Sequence, residues 1–386
     1  MPPGKPLVIV AHPSPDLYGS DLQLLASIEG FRDAGWAVTV TLPRTGPLVA
    51  HLLARGADVR ITEFPVLSKS LLAPRRLPGL VVATVRALWT IRRDVVASGA
   101  AAVWVNTLTE PVWVLAARLA RRQVVCHVHE AEEAQPWPVR ALLAAPLLLA
   151  HRVVVNSAAA RRALTQVLPA LARRTELVYN GMEGPPDPLP AARRRPGQPF
   201  RIALVGRLSP RKGTDVALEA VALLRAGGAD AVLDLFGDVF PGYEWFEDQL
   251  RRRADEADLR GAVRFHGYVN PVWVPLGEAH AVVVPSRAEP FGNVAVEAML
   301  AERPVVASAV QGLTEIVTDG TGLLAPVDDA PALAGRLREL YDDPDRAAAL
   351  AAAGLASARD RFGAGRYREQ IAQVLGRTAA RRQATR

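Results

Sequence analysis

Short apolar runs rich in valine and alanine alternate with stretches of helical period along nearly the whole chain. The first half reads PLVIVAH, a helix over about 20–34, WAVTVTLP, a helix in PLVAHLLARGA, then AAVWVNT, QVVCHVHE and RVVVNSA. Uninterrupted apolar runs of this kind are strands buried on both faces, which calls for a parallel sheet with helices on each side. Several close on polar residues, at the end where a parallel sheet opens its ligand crevice. A proline- and arginine-dense stretch, GPPDPLPAARRRPGQP, then breaks the pattern over residues 184–199. A second alternation follows: FRIALVGRL, a helix over 214–226, AVLDLFGD, a helix over 245–258, AVRFHGY, AVVVPS, RPVVASA and TGLLAP. A helical stretch over about 331–376 closes this second domain and could also cross back to the first. The pattern predicts an α/β protein of two Rossmann-like domains. Residues 1–185 form the first, 186–199 a linker, 200–362 the second, and 363–386 a C-terminal helix with a disordered basic tail, RTAARRQATR.

Composition narrows the classes. At 386 residues, half of them hydrophobic, the chain exceeds what one ordinary core organises and suits two domains that each bury a proper one. The single cysteine, Cys126, excludes a disulfide framework within the chain and fits a reducing compartment. Residues 1–15 place LVIVAH among prolines and lack the basic, apolar and cleavage-site pattern of a signal peptide, so a cytoplasmic protein is expected. The apolar stretches 79–91 and 141–150 are interrupted by Arg86 or too short to span a bilayer.

The net charge of +7 is unevenly placed. Residues 1–196 hold 23 Lys and Arg against 14 Asp and Glu, a net +9, and the remainder carries −2. Solvated faces and an arginine-rich composition explain such a balance. The competing reading is peripheral attraction to the anionic inner face of the plasma membrane, aided by the amphipathic piece LLAPRRLPGLVVATVRALWTIRR over 71–93. Nucleic acid is not an expected partner, since the sequence shows neither aromatic-interleaved basic motifs nor zinc-finger spacing.

The chemistry concentrates in SRAEPFGNVAVEAML, where Glu289 and Glu297 flank a turn of Pro290, Phe291, Gly292 and Asn293. A helix starting near Asn293 would point its first amides and its dipole at an anion, and Glu297, one turn inside, leans back toward the same mouth. Phosphate between two carboxylates that take hydroxyls is the layout of a sugar joined to a nucleoside by a diphosphate. As an isolated pair, the two glutamates would equally be solvated side chains. VGRLSPRKG adds Arg207 and Lys212, five apart across a turn, able to place two cations on one diphosphate. QGLTEIVTDGTGLL brings Gly312, Glu315, Asp319, Gly320 and Gly322, consistent with a tight backbone approach followed by a turn, and VYNGM places Asn180 and Gly181 before the linker.

Taken together, GRL, the RKG lysine, the Glu-x7-Glu pair of EPFGNVAVE and G-x-x-E-I-V-x-D-G resemble, in order and spacing, the retaining glycosyltransferases of the family-four type. That resemblance covers nearly the whole chain and is strongest over 201–326. It implies the glycosyltransferase-B fold, two Rossmann-like parallel-sheet domains facing across a cleft, with acceptor binding in the first and nucleotide-sugar binding in the second. It implies that Arg207 and Lys212 hold the donor diphosphate, that Glu289 binds sugar hydroxyls near the reacting carbon, that Glu297 binds the ribose, and that the amides of Phe291, Gly292 and Asn293 add phosphate contacts. His129, closing VVCHVHE, matches the histidine placed beside the donor sugar, with Glu130 after it and His127 as a competitor on the same strand face. Gly19 in LYGSDLQ matches the family's glycine-rich acceptor-side loop, where Ser20 replaces a second glycine. Gln311 and Thr314 likewise replace Gly and Pro.

The implied activity moves a hexosyl-type sugar to a hydroxyl acceptor, lipid-linked or soluble, in glycan or glycolipid synthesis. It needs no metal and no cofactor. Asp343 and Asp345 in YDDPDRAAAL are read as a helix cap and its first turn. An epimerase or hydrolase of the same fold and a non-catalytic nucleotide-sugar-binding subunit are the alternatives. Neither a G-x-G-x-x-G after the first strand nor a G-x-x-x-x-G-K-[ST] loop is present for a dehydrogenase or a nucleoside triphosphatase.

Overall fold

The structure is a computed structural model and describes residues 5–17, 19–67, 75, 77–131, 135–189, 193–240 and 242–380. It divides into two compact units, residues 1–181 with 364–386, and residues 182–363. Residues 1–4 of the opening stretch, 71–74 and 76 of the amphipathic piece, 190–192 of the linker and 381–386 of the tail lie outside the described residues, as does Tyr18 of LYGSDLQ.

The first unit holds a seven-stranded sheet of β1 (Leu7–Ala11), β2 (Ala37–Leu42), β3 (Asp58–Ile61), β4 (Ala102–Val105), β5 (Gln123–Val128), β6 (Arg152–Val155) and β7 (Thr175–Leu177). Their order is β3-β2-β1-β4-β5-β6-β7, and every pairing is parallel. Alternate residues of the central strands enter opposite cores, as a sheet covered on both sides requires. Ile9, Val103, Val105, Val124 and Cys126 pack on one face, and Val8, Val10, Trp104 and Val125 on the other.

The helix Ala364–Ala380 completes the second of these cores. Its buried Tyr367, Ile371, Val374 and Leu375 recur at helical spacing and join Leu24, Ile28 and Phe31 of the helix Gly19–Asp33. Tyr367 also bonds Ser27, hydroxyl to hydroxyl at 2.5 Å. The chain end therefore crosses back to the first unit.

The second unit has six strands, β8 (Phe200–Val205), β9 (Ala231–Phe236), β10 (Val263–Phe265), β11 (Ala281–Val284), β12 (Val305–Ser308) and β13 (Leu323–Ala325). The order β10-β9-β8-β11-β12-β13 repeats the central pattern of the first sheet, again wholly parallel. Order reverses between β8 and β11, so the loops after those two strands open on the same crevice. The α/β fold and paired Rossmann-like sheets agree with the sequence reading.

Three expectations need correction. The sequence pattern supplied five strands for the first sheet and missed β3 and β7. Both are short, and β3 (DVRI) is largely exposed at the sheet edge, so neither carries a buried apolar run. The single closing helical stretch is three helices, Ala330–Asp342, Pro344–Phe362 and Ala364–Ala380. The part of the basic tail that is described is helical rather than disordered, with Arg377 paired to Glu176 at 2.7 Å and the Thr378 hydroxyl donating to the Val374 carbonyl. Among the described residues no helix is long and apolar enough to cross a membrane.

Candidate active site

The centre of the second unit is built from three loops. After β11 the chain runs through Pro285 and Ser286 into Glu289 and the turn Pro290–Gly292, then into the helix Asn293–Leu300. The loop after β8 forms a short 3-10 turn, Pro210–Lys212, followed by Gly213 in the left-handed region at φ 66°. A Cβ on Gly213 would stand 2.0 Å from the Pro285 carbonyl oxygen, so only glycine lets this turn lie directly on the end of β11. Arg287 N–H donates to the Arg211 carbonyl at 2.8 Å, and the Arg211 guanidinium donates to the Ala288 carbonyl at 2.9 Å, stitching the two loops together.

The consequence is a pairing across 77 positions of sequence. Lys212 Nζ lies 2.5 Å from Glu289 Oε2, and the Ser286 hydroxyl donates to the same oxygen at 3.3 Å. Burial pushes the Glu289 carboxyl up, but Lys212, Arg211 and the hydrogen bonds outweigh it and hold the group below its usual range. Among the described residues Glu297 has no such hydrogen-bonded partner. Burial drives it up to about 7 against the pull of Lys212. The two carboxyls thus differ in character, one fixed as an anion and one poised near neutrality.

The third loop clamps the turn from behind. A Cβ on Gly312 would meet the Phe291 and Pro290 carbonyl oxygens at 2.4 and 2.5 Å, and Gly312 N–H donates to the Glu289 carbonyl at 3.1 Å. Gln311 Oε1 accepts from Glu289 N–H at 2.8 Å. Its amide side chain therefore satisfies a backbone group that a glycine at this position would leave to another partner. Phe291 is buried, packed edge-on to Phe362 at 5.6 Å between centroids. Arg207, at the end of β8, places its guanidinium 3.8 Å from the centroid of Phe240. Asp343 accepts from Arg346 N–H at 2.9 Å with Pro344 in the first turn, so it caps the helix Pro344–Phe362.

In the first unit, polar residues gather just past the carboxyl ends of β1, β4 and β5. His129 Nε2 is 3.3 Å from Asn106 Oδ1, Asn106 Nδ2 is 3.0 Å from His12 Nδ1, and His12 Nε2 is 2.8 Å from Asp21 Oδ1. His12, Asp21 and Asn106 are buried, while His129 is half-buried. Burial, and His12 after it, push the His129 ring down to about 3. Glu130 accepts from the Thr107 hydroxyl at 2.5 Å and from His129 N–H at 2.9 Å. His127 shares the face of His129, with ring centroids 4.0 Å apart, but is sealed between Trp104 and Tyr367 with neither ring nitrogen bonded. It is a packing residue. Gly19 opens the helix Gly19–Asp33, and Ser20 after it donates to Asp21 Oδ1 at 3.5 Å.

Of the sequence-predicted residues, Lys212, Glu289, Glu297, Phe291, Gly292 and Asn293 therefore share one loop cluster with Arg207 on the neighbouring strand end. His129 and Gly19 belong to the first unit. Sequence reasoning missed His12, Asp21 and Asn106. Their signal was polar residues closing apolar runs, VIVAH and VWVNT.

Comparison with known proteins agrees with this organisation. Residues 19–183 match the family described as Glycosyltransferase Family 4, and residues 187–356 match Glycosyl transferases group 1. The chain is 34% identical over 196 residues to glycogen synthase of Mycobacterium tuberculosis, covering 50% of this chain and 46% of that protein. It is 34% identical over 241 residues to D-inositol 3-phosphate glycosyltransferase of Thermobispora bispora, covering 58% and 56%. The match thus spans about half the length of these curated relatives. Anabaena HepE, solved in complex with UDP and glucose, shares the fold with a TM-score of 0.79 over 96% of this chain and 99% of that one, at 24% identity. Sucrose-phosphate synthase from Thermosynechococcus elongatus does so with a TM-score of 0.76 at 23% identity, over 97% and 100%. Two matching family models, one over each unit, and two parallel sheets of Rossmann type place the chain in the family-4 glycosyltransferases, of glycosyltransferase-B architecture.

Proposed function

We propose that the protein is a retaining, metal-independent glycosyltransferase that moves a hexosyl group from a nucleoside-diphosphate sugar to a hydroxyl acceptor. The observation that carries this reading is the Lys212–Glu289 pair set against the start of the helix Asn293–Leu300. A cation, a fixed carboxylate and a helix N-terminus in one loop cluster suit a diphosphate carrying a hydroxyl-rich group. In the reaction the bond from the anomeric carbon to the diphosphate oxygen breaks and a bond to the acceptor oxygen forms on the same face. The acceptor proton passes to the departing phosphate oxygen, leaving a glycoside and a nucleoside diphosphate. Negative charge grows on the leaving group, where Arg207, Lys212 and the amides of Phe291, Gly292 and Asn293 would meet it. Each preorganised donor is worth on the order of 3 kcal/mol of barrier. These groups supply what a divalent cation would otherwise give. Glu289 would hold sugar hydroxyls, Glu297 the ribose, and His129 would be a donor-sugar contact, as the family resemblance implies.

Relatives named for inositol phosphate and for lipopolysaccharide core biosynthesis favour a small polyol or envelope glycan as acceptor. Val81, Val85 and Trp89 form an exposed stripe at four-residue spacing on the helix Leu77–Ala97, beside Arg86, Arg92 and Arg93. That stripe favours a peripheral contact with an anionic bilayer and hence a lipid-linked acceptor at the cytoplasmic face. Flotation with anionic and neutral vesicles checks it, a Val85→Ser/Trp89→Ser variant being expected to float less with the anionic vesicles. The activity itself is read by incubating a panel of nucleoside-diphosphate sugars, uridine first, with and without polyol and glycolipid acceptors and with chelator. Acceptor-dependent release of nucleoside diphosphate that survives chelation supports the reading. Full consumption of donor without acceptor means a hydrolase or epimerase instead.

A further inference from the structure

Four residues from four separate segments converge at the carboxyl end of the first sheet: His12 after β1, Asp21 on the helix Gly19–Asp33, Asn106 after β4 and His129 after β5. Their contacts form one line, Asp21 Oδ1 to His12 Nε2 at 2.8 Å, His12 Nδ1 to Asn106 Nδ2 at 3.0 Å, and Asn106 Oδ1 to His129 Nε2 at 3.3 Å. With His12 singly protonated, the direction of every bond follows from the buried end. A carboxylate only accepts, so the proton on the His12 ring sits on Nε2. A neutral ring then offers a lone pair at Nδ1, and only the amide N–H of Asn106 satisfies it. The Asn106 carbonyl is thereby turned toward His129, where it too only accepts, so His129 must donate from Nε2.

We propose that Asn106, anchored by the His12–Asp21 pair, is a positioning residue that fixes His129 in its Nε2–H tautomer and leaves Nδ1 as the acceptor of that ring. The two inner members and Asn106 are buried, so the line is shielded from competing water, and an unsatisfied amide there would be costly. Thr107 and the His129 backbone hold the Glu130 carboxylate, and His127 packs against the His129 ring. Buried Glu110 is held well above the usual carboxylate range by burial and then by Glu130. A neutral His129 with a fixed lone pair receives a hydrogen bond from a sugar hydroxyl and does not donate one. Orientation of the donor sugar by this ring depends on Asn106, although Asn106 itself need not touch substrate. This last step rests on the assignment of His129 to the donor sugar; the tautomer does not.

Imidazole nitrogen shifts of histidine-labelled full-length protein, with His129 assigned from the difference against His129→Gln, read the tautomer directly. The expected wild-type spectrum shows His129 neutral with its proton on Nε2. Asn106→Leu should lose the preference for one tautomer, and the near-isosteric Asn106→Asp, which still accepts, should keep it. In the transfer reaction Asn106→Leu should lower kcat by about tenfold or more with KM for the donor little changed, and Asn106→Asp should retain more of kcat than Asn106→Leu. A wild-type His129 protonated on Nδ1, as a doubly protonated His12 and reversed amide would produce, overturns the proposal without any variant having to fold. So does a folded Asn106→Leu that keeps the Nε2–H tautomer. A correct tautomer shift with no transferase activity in any form would instead sink the functional reading and leave the positioning relation standing.

Discussion

Replacing Lys212 by Met removes the cation facing Glu289 while keeping most of the side-chain volume. In the intact chain the two side chains are 17% and 11% exposed and 2.5 Å apart. Breaking a fully buried pair costs about 3–5 kcal/mol because the remaining charge is left uncompensated. Here Glu289 keeps the Ser286 hydroxyl and the field of Arg211, so a loss of about 2–3 kcal/mol is expected. The pH dependence has a definite sign. Glu289 titrates below its ordinary value of 4.5 in the folded protein, so the stability contributed by the pair is present above that pH and is lost as pH falls through the depressed value. Urea unfolding of Lys212→Met should therefore diverge most from the wild type at pH 7.5 and converge with it below pH 4.5. Lys212→Met/Glu289→Gln replaces an unpaired charge with a neutral amide and should recover about half the lost stability. Donor turnover should fall by about a hundredfold or more in the single variant and stay low in the double one. Stability of Lys212→Met equal to that of the wild type at pH 7.5, or a deficit unchanged at acid pH, would show that the pair does not stabilise the fold.

Other perturbations separate structural from functional roles. Glu297 is raised to about 7 from 4.5, so its ionisation opposes folding, and the stability present below 4.5 is lost as pH rises through 7. Glu297→Gln should then be more stable than the wild type by up to about 3 kcal/mol at pH 8 and indistinguishable at pH 4.5, read by thermal denaturation at both. Asp343→Ala should cost about 1 kcal/mol through the lost cap and leave transfer and chelator response unchanged, which kinetics with and without chelator would check. Gly312→Ala forces a Cβ onto the Phe291 and Pro290 carbonyls and should destabilise by about 1–3 kcal/mol while weakening nucleoside diphosphate affinity, measured by calorimetry.

Much of this architecture was legible because buried parallel strands declare themselves as unbroken apolar runs. In the second sheet β11 and β12 do so most plainly, in AVVVPS and RPVVASA. The edge strands β3 and β7 do not, because an edge position removes the demand for burial on both faces. The carboxylates of EPFGNVAVE were visible from spacing alone, since the turn and the helix start are local. The Lys212–Glu289 pair was not, because its 2.5 Å contact spans 77 positions and depends on Gly213 lying against Pro285. His12, Asp21 and Asn106 were hidden for the same reason: each is an ordinary polar residue at a strand or helix end until the sheet order brings β1, β4 and β5 side by side. Gln311 stood out in the sequence only as a departure from a glycine, and the hydrogen bond to Glu289 N–H is what gives that departure a physical role.

On the proposed function, Arg207 and Lys212 neutralise a pyrophosphate. Calorimetric titration of a nucleoside diphosphate and of the matching nucleoside into the wild type and into Arg207→Ala/Lys212→Met puts it to the proof most directly. The wild type should bind the diphosphate on the order of a hundredfold more tightly than the nucleoside, and the variant should lose most of this preference while still binding the nucleoside. A preference left intact in the folded variant would contradict it.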